Sequence, residues 1–140
     1  MTKSFATSVC CMLGLVMAMI ACMGTGVEAL NCTTAENSPT QEQANALVSY
    51  IREKGVRGIQ CENICSAGDG RCTQMHIVGD SQSGGRAMLC GECHKSTPCA
   101  TAGSALNEVL GQCVVAIDNA ARVTGTQQAD GLEVIIEKIP

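Results

Sequence analysis

The cysteines of this chain constrain its fold more than any other feature. Three of the 11 lie in residues 1–29, and the remaining eight are Cys32, Cys61, Cys65, Cys72, Cys90, Cys93, Cys99 and Cys113. An even number of cysteines in a short segment with few large apolar side chains predicts a closed set of disulfides. Each bridge would add about 2–4 kcal/mol by restricting the unfolded chain, which compensates for a small core. The spacing alone leaves the pairing open.

Residues 1–29 have the features of a secretory signal peptide. Lys3 is the only charged residue in the first 27 positions, and the segment 9–23 is almost wholly apolar. That segment is shorter than the roughly 20 residues that a membrane-spanning helix needs, so we expect cleavage rather than membrane insertion. Cleavage after Ala29 would leave residues 30–140 as one cysteine-rich domain that is secreted into an oxidising, extracellular environment.

Two short motifs flank this expected cleavage site. Met19-Ile20-Ala21-Cys22 loosely resembles a bacterial lipobox, which would make Cys22 a lipidated N-terminus and is an alternative to simple secretion. Asn31-Cys32-Thr33 matches the acceptor for N-glycosylation, although a disulfide at Cys32 would compete with modification of Asn31.

The composition of residues 30–140 argues against several functions. Tyr50 is the only aromatic residue, and without Lys3 and Glu28 the segment has 8 basic and 12 acidic residues, a net charge of −4. Nucleic-acid binding is therefore not expected, because bases would find no stacking platform and phosphates would be repelled. The only histidines are His76 and His94, and no Gly-x-Ser-x-Gly motif is present. We expect a protein that is not an enzyme.

Two helices are predicted. Ser38 as N-cap and Pro39 at the first helical position indicate the start of the first helix, and Gly55 indicates its end. A second, shorter helix is expected from Gly103 or Ser104 to about Leu110. In the first helix the apolar residues repeat at helical spacing and predict one buried face: Ala44, Leu47, Val48 and Ile51.

Extended segments are predicted between and after the helices. The turn-forming run from Gly79 to Gly85 predicts a hairpin loop. Helix, strands, helix and strands in so short a chain indicate an α+β sandwich, with one antiparallel sheet and both helices on one face. The expected strands cover residues 58–61, 73–78, 86–90, 113–117 and 132–139.

The segment Cys90-Gly91-Glu92-Cys93-His94 matches the pattern for covalent haem attachment. The second axial ligand would then come from Met75, His76 or Met88. Six further cysteines and the lack of aromatic residues favour a different interpretation, in which Cys90 and Cys93 are two half-cystines beside a surface histidine. No cofactor is therefore expected.

Cys61 and Cys65, taken with Cys90 and Cys93, also match the spacing of a four-thiolate zinc site, and C-x-x-C alone matches a redox motif. Oxidation during secretion argues against the metal site. A redox motif would normally begin a helix in a thioredoxin-type unit, which the sequence does not contain. No metal is expected.

Four segments, taken in order, give this chain a resemblance to a known family. Ala29-Leu30-Asn31-Cys32, Arg86-Ala87-Met88-Leu89-Cys90-Gly91, Leu106 to Leu110 with the following Gly111-Gln112-Cys113-Val114-Val115-Ala116, and Gly131-Leu132-Glu133-Val134 resemble the small secreted killer toxins of smut fungi. The similarity is to the virus-encoded "killer protein four" type and its fungal and plant relatives. It implies a split β-α-β sandwich with two antiparallel helices on one sheet.

The resemblance also implies one disulfide, from Cys32 to Cys113. The chain departs from the family at two cysteine positions: residue 116 is Ala, and no cysteine lies between Cys32 and Cys61. The family has a cysteine at each of these positions and five bridges in all. The absence of both cysteines here is what the loss of one complete bridge would produce.

A third departure concerns function. The family is thought to inhibit calcium uptake through channels by an exposed basic residue, and the strand match places that residue at Met88. An uncharged thioether cannot replace a cation, but Arg86 lies two residues away on the same face of the expected strand. The acidic net charge also differs from the basic character of the viral toxin.

The sequence therefore predicts a secreted, monomeric, non-enzymatic toxin or effector that acts on a cell-surface protein or channel of competitor or host cells. Arg86 and Lys95, which flank the segment from Cys90 to Cys93, are the expected binding residues. The alternatives are a haem or lipid-anchored carrier, and a protease inhibitor that uses the loop from Gly79 to Gly85.

Overall fold

Nine strands and two helices make up residues 30–140, the part of the chain that this computed structural model describes. The expected signal peptide and Cys22 lie outside these residues. The helices are α1 (Gln41–Val56) and α2 (Cys99–Gln112). The strands are β1 (Asn31–Cys32), β2 (Gln60–Glu62), β3 (Cys72–Gly79), β4 (Gly84–Cys90), β5 (Ser96–Pro98), β6 (Val114–Ile117), β7 (Ala120–Val123), β8 (Gly125–Ala129) and β9 (Leu132–Lys138).

The main sheet has five strands in the order β1-β8-β9-β4-β3, and every neighbouring pair is antiparallel. Two small sheets, β2 with β5 and β6 with β7, lie beside it. Because β4 and β8 are both antiparallel to β9, they are parallel to each other. The chain connects them through α2, so β4, α2 and β8 form a split β-α-β unit with β9 between its strands. The predicted α+β class and the antiparallel sheet are confirmed.

Both helices lie on one face of this sheet. The four residues of α1 that were expected to face the core are all buried. They pack in one cluster with residues of α2 and with alternate residues of the central strands: Ala87, Leu89, Leu132, Val134 and Ile136. The intervening residues point to the opposite face, because side chains alternate along a strand.

The two helices approach each other closely at glycines. A Cβ on Gly55 of α1 would stand 2.5 Å from the Cα of Ala100, and one on Gly103 of α2 would stand 2.7 Å from Cγ of Arg52. The contact partners run in opposite directions along the two helices, so α1 and α2 are antiparallel. Glycine at these positions lets the backbones meet without a clash.

The predicted start of α1 was wrong by two residues. Thr40, not Ser38, is the N-cap: its Oγ1 accepts a hydrogen bond from the Gln43 N–H, and the Gln43 side chain accepts one from the Thr40 N–H. Ser38 instead accepts a hydrogen bond from the Ala35 N–H in the preceding turn. The capping box satisfies two N–H groups at once, which explains why the helix begins after Thr40.

The predicted start of α2 was also wrong, since the helix begins at Cys99. The preceding Pro98 is its N-cap and offers no side-chain cap. Cys99 and Ala102 are fully buried, so the first turn is stabilised by packing against the core instead of by a side-chain cap. Strands β1, β5, β7 and β8 were not predicted, whereas the hairpin loop between β3 and β4 was.

Candidate functional site

All eight cysteines of residues 30–140 form disulfides, and the Cys32–Cys113 pair that the resemblance implied is present. The other pairs are Cys61–Cys99, Cys65–Cys93 and Cys72–Cys90. Two bridges join the ends of α2 to β1 and β2. The other two hold the segment between β2 and β3 against β4 and the turn that follows it.

Asn63 organises the chain around these last two bridges. Its side chain is fully buried, and its Nδ2 donates to the carbonyl oxygens of Arg71 (2.8 Å) and Gly91 (3.2 Å). Its Oδ1 accepts from the Cys65 N–H (3.1 Å) and the Thr73 hydroxyl (3.0 Å). One amide thus satisfies backbone groups of two separate loops that lack regular hydrogen-bonded structure.

The haem-like segment is part of this arrangement. Cys90 pairs with Cys72, and Cys93 pairs with Cys65, so neither sulfur atom is free to form a thioether. His94 is exposed, and its Nδ1 lies 3.6 Å from a carboxylate oxygen of Glu62. The segment is therefore a turn held by two bridges, with a histidine on its surface. The two C-x-x-C cysteines do not pair with each other.

Arg86 lies on the sheet face opposite the helices. Its Nε donates a hydrogen bond to Oε1 of Glu137 on the neighbouring strand β9 (2.8 Å), and its Nη2 lies 2.6 Å from the same oxygen in a salt bridge. Met88 lies on the same face, as the strand alternation predicted, but it is only 2% exposed. The structure thus places Arg86 in a half-buried ion pair and leaves Met88 almost fully buried.

Lys95 lies beyond the opposite end of β4. Its Nζ lies against the β8–β9 turn, 2.8 Å from where a Cβ on Gly131 would stand. It takes part in no salt bridge within residues 30–140. The four residue steps from Arg86 to Cys90 span about 13 Å of strand, so the two basic residues do not form one site.

The same sheet face carries a groove with a volume of about 380 Å³. Met88 and Ile135 belong to a small apolar cluster there that is separate from the helical core. Residues 66–71, which we call the covering loop, contribute one wall of the groove, and the Arg86–Glu137 pair contributes another. The groove is lined by Ala67, Gly68, Asp69, Cys72, Arg86, Met88, Cys90, Ile135, Glu137 and Pro140.

Asp69 closes the turn of the covering loop. Its Oδ1 accepts hydrogen bonds from the N–H groups of Arg71 (3.0 Å) and Cys72 (3.2 Å). These bonds favour the carboxylate, and the one from Arg71 contributes most to lowering the pKa of Asp69. Asp69 is therefore ionised at neutral pH.

Asp80 makes an equivalent turn in the β3–β4 loop that the sequence offered as a protease-binding segment. Its Oδ1 accepts from the Gln82 and Ser83 N–H groups, each at 2.9 Å. The Ser83 bond contributes most to lowering the pKa of Asp80. Gly79 pairs with Gly84, so only four residues form the tip of the hairpin. The loop is therefore a compact turn closed by a side chain.

His76 lies on the helix side of the sheet and stacks on Tyr50 of α1, with 3.7 Å between ring centroids. The Lys54 Nζ lies 4.8 Å from the centre of the Tyr50 ring. Partial burial lowers the pKa of His76, and the positive charge of Lys54 lowers it further. This stack joins α1 to the outer strand β3.

The groove depends on residues that carry no functional signal in the sequence. Asn63, Ile135 and Glu137 belong to no motif, and their importance follows from contacts made by distant parts of the chain. Asp69 precedes Gly70 in a turn-forming run, and this pattern predicts a turn. It does not predict that the turn packs beside β4 and β9 as a wall of the groove.

Within residues 30–140, histidine, cysteine and acidic side chains form no group of three or more that could hold a metal ion. No helix in this part of the chain is long and apolar enough to span a bilayer. Comparison with models of protein families, with curated proteins and with solved structures finds no match to this chain.

Proposed function

We propose that this protein is a secreted, non-enzymatic toxin or effector of killer-toxin type that binds a surface protein or channel of a target cell. The observation that carries the proposal is the set of four disulfides within one small α+β domain. Such a set is compatible with a secreted cysteine-rich protein, because these bonds form and persist in oxidising compartments.

Inhibition of a cation channel would require an accessible positive charge. Arg86 is engaged by Glu137, so its guanidinium would have to leave an ion pair in order to contact a target. Lys95 forms no salt bridge among residues 30–140 and lies beside an exposed turn. Lys95 is therefore the better candidate for contact with a channel, and Arg86 the weaker one.

The proposal is tested with the purified, oxidised protein in growth and calcium-uptake assays on fungal and plant cells. We expect inhibition by the wild type, loss of inhibition by Lys95→Gln, and no loss by Lys138→Gln. Lys138 is a matched control because it is a half-buried lysine near the opposite end of the sheet, paired in register with Gly85. Reduced and alkylated protein should be inactive.

Wild-type protein without effect on any of these cells would contradict the proposed toxicity. Inhibition of growth without a change in calcium uptake would contradict the channel mechanism alone. The mass of the secreted protein, measured before and after reduction, gives an independent check. Mature protein that begins at Leu30 and gains two hydrogens per bridge supports the proposal, whereas a lipid adduct on Cys22 would contradict it.

A further inference from the structure

Two of the four disulfides lie outside the helical core. Cys32–Cys113 and Cys61–Cys99 join the ends of α2 to the rest of the core. Cys65–Cys93 and Cys72–Cys90, together with the buried Asn63 amide, instead hold the covering loop over the opposite face of the sheet. The result is a groove with one wall fixed in advance, and such preorganisation lowers the entropic cost of binding.

The walls and floor of this groove differ in chemistry. The floor is apolar, formed by Met88 and Ile135. At one wall, Asp69 accepts both of its hydrogen bonds through Oδ1, which leaves Oδ2 without a donor among residues 30–140. At another wall, both Arg86 nitrogens lie against Oε1 of Glu137, so Oε2 of Glu137 likewise has no donor among the described residues.

We propose that this groove binds a lysine or arginine side chain from a basic segment of a partner protein. The aliphatic stem lies mainly on Ile135, which is more exposed than Met88, and the charged end contacts the free oxygen of Asp69. This inference rests on the proposed function, since it gives the chemistry of the partner that such a toxin or effector would recognise.

Charge and size select this occupant over others. The lining has two carboxylates and one guanidinium, and the whole chain has a net charge of −4, so a second copy or an anionic ligand is repelled. A volume of about 380 Å³ is at the low end for ligand sites, which suits one or two side chains. Lysine and arginine combine an apolar stem with a cationic end, as the apolar floor and acidic wall require.

The test is a titration of the isotope-labelled, oxidised protein with the capped peptide Gly-Leu-Arg-Leu-Gly, followed by backbone amide shifts in NMR spectra. The matched peptides carry glutamine or glutamate in place of arginine. We expect saturable shifts at residues of the groove with the arginine peptide, weaker shifts with glutamine and none with glutamate. Asp69→Asn should weaken binding of the arginine peptide about three- to fivefold.

Asp69→Asn keeps the side-chain oxygen that closes the turn and removes only the charge. Asp80→Asn is the matched control, because Asp80 closes an equivalent turn in the same way and does not line the groove. Equal weakening by both substitutions would overturn the proposal, and so would equal binding of the glutamate peptide or the absence of saturable shifts at the groove.

The readouts for this groove and for toxicity are independent. A protein that binds the arginine peptide but inhibits no cell supports the groove and contradicts the proposed function. A protein that inhibits cells but does not bind the peptide supports the proposed function and overturns the groove.

Discussion

Replacement of Asn63 by alanine should destabilise the protein by more than any ordinary loop substitution. The change removes four hydrogen bonds of 3.2 Å or less and leaves the carbonyl oxygens of Arg71 and Gly91 without this donor. At about 1 kcal/mol net for each bond, the loss is about 4 kcal/mol if nothing replaces them. Water that enters from the exposed loop surface would recover part of this, so we expect a loss of about 2–3 kcal/mol.

The assay is denaturant unfolding under oxidising conditions, so that the four disulfides stay intact in both states. Asn45→Ala is the matched control, because Asn45 is exposed on α1 and should lose nothing. Asn63→Asp keeps the acceptor oxygen but directs a second oxygen toward carbonyl groups, so it should cost at least as much as alanine. A loss below about 1 kcal/mol for Asn63→Ala would refute the assignment of Asn63 as the organiser of both loops.

Three further predictions concern the helices and the outer strand. Gly55→Ala should strongly destabilise the protein in thermal unfolding, because its Cβ would meet the Ala100 backbone at 2.5 Å. Gly111→Ala is the control: its Cβ would stand in open space, and the substitution should raise the free energy of unfolding by up to about 1 kcal/mol. Thr40→Ala should cost about 1 kcal/mol, and an unchanged midpoint would contradict the capping box. Because the folded state lowers the pKa of His76, the contribution of His76 to the free energy of unfolding should be fully present above about pH 6.5 and be lost as the pH falls below it. His76→Phe should remove that part of the pH dependence, and an unaltered slope between pH 7 and 5 would contradict it.

The helices could be predicted from sequence because their information is local. The spacing of Leu47, Val48 and Ile51 determines which side of α1 is buried, and the structure buries that side. The start of the helix was missed because Ser38 and Thr40 both satisfy the pattern for an N-cap. Only the reciprocal bond from Gln43, one turn later, distinguishes them.

Strand β8 could not be predicted from its own residues, since Gly125-Thr-Gln-Gln-Ala129 has little preference for extended structure. It is a strand because β9 pairs with it along its whole length. One signal was available in Asp130-Gly131, where both residues have positive φ, as a two-residue hairpin turn requires. Asp118-Asn119 forms the same kind of turn between β6 and β7.

The groove was beyond prediction for a different reason. Its wall depends on two bridges whose partners are 28 and 18 residues apart, and on an asparagine that contacts two loops. Nothing in the sequence chooses these pairs among the possible ones, because loop-closure entropy varies only slowly with length. The pairing is decided by which cysteines the finished sheet brings together, and Cys72 and Cys90 face each other in register on β3 and β4.

The covering loop also changes what the killer-toxin resemblance can mean for this chain. The resemblance places the active cation at position 88, yet here that position lies at the floor of the groove in contact with the cluster that includes Ala67 and Ile135. A basic side chain there would point into the groove rather than toward a channel. If the protein does inhibit a channel, its cation must therefore lie outside this strand face, and Lys95 satisfies that requirement. The strand face would then bind a basic group instead of presenting one.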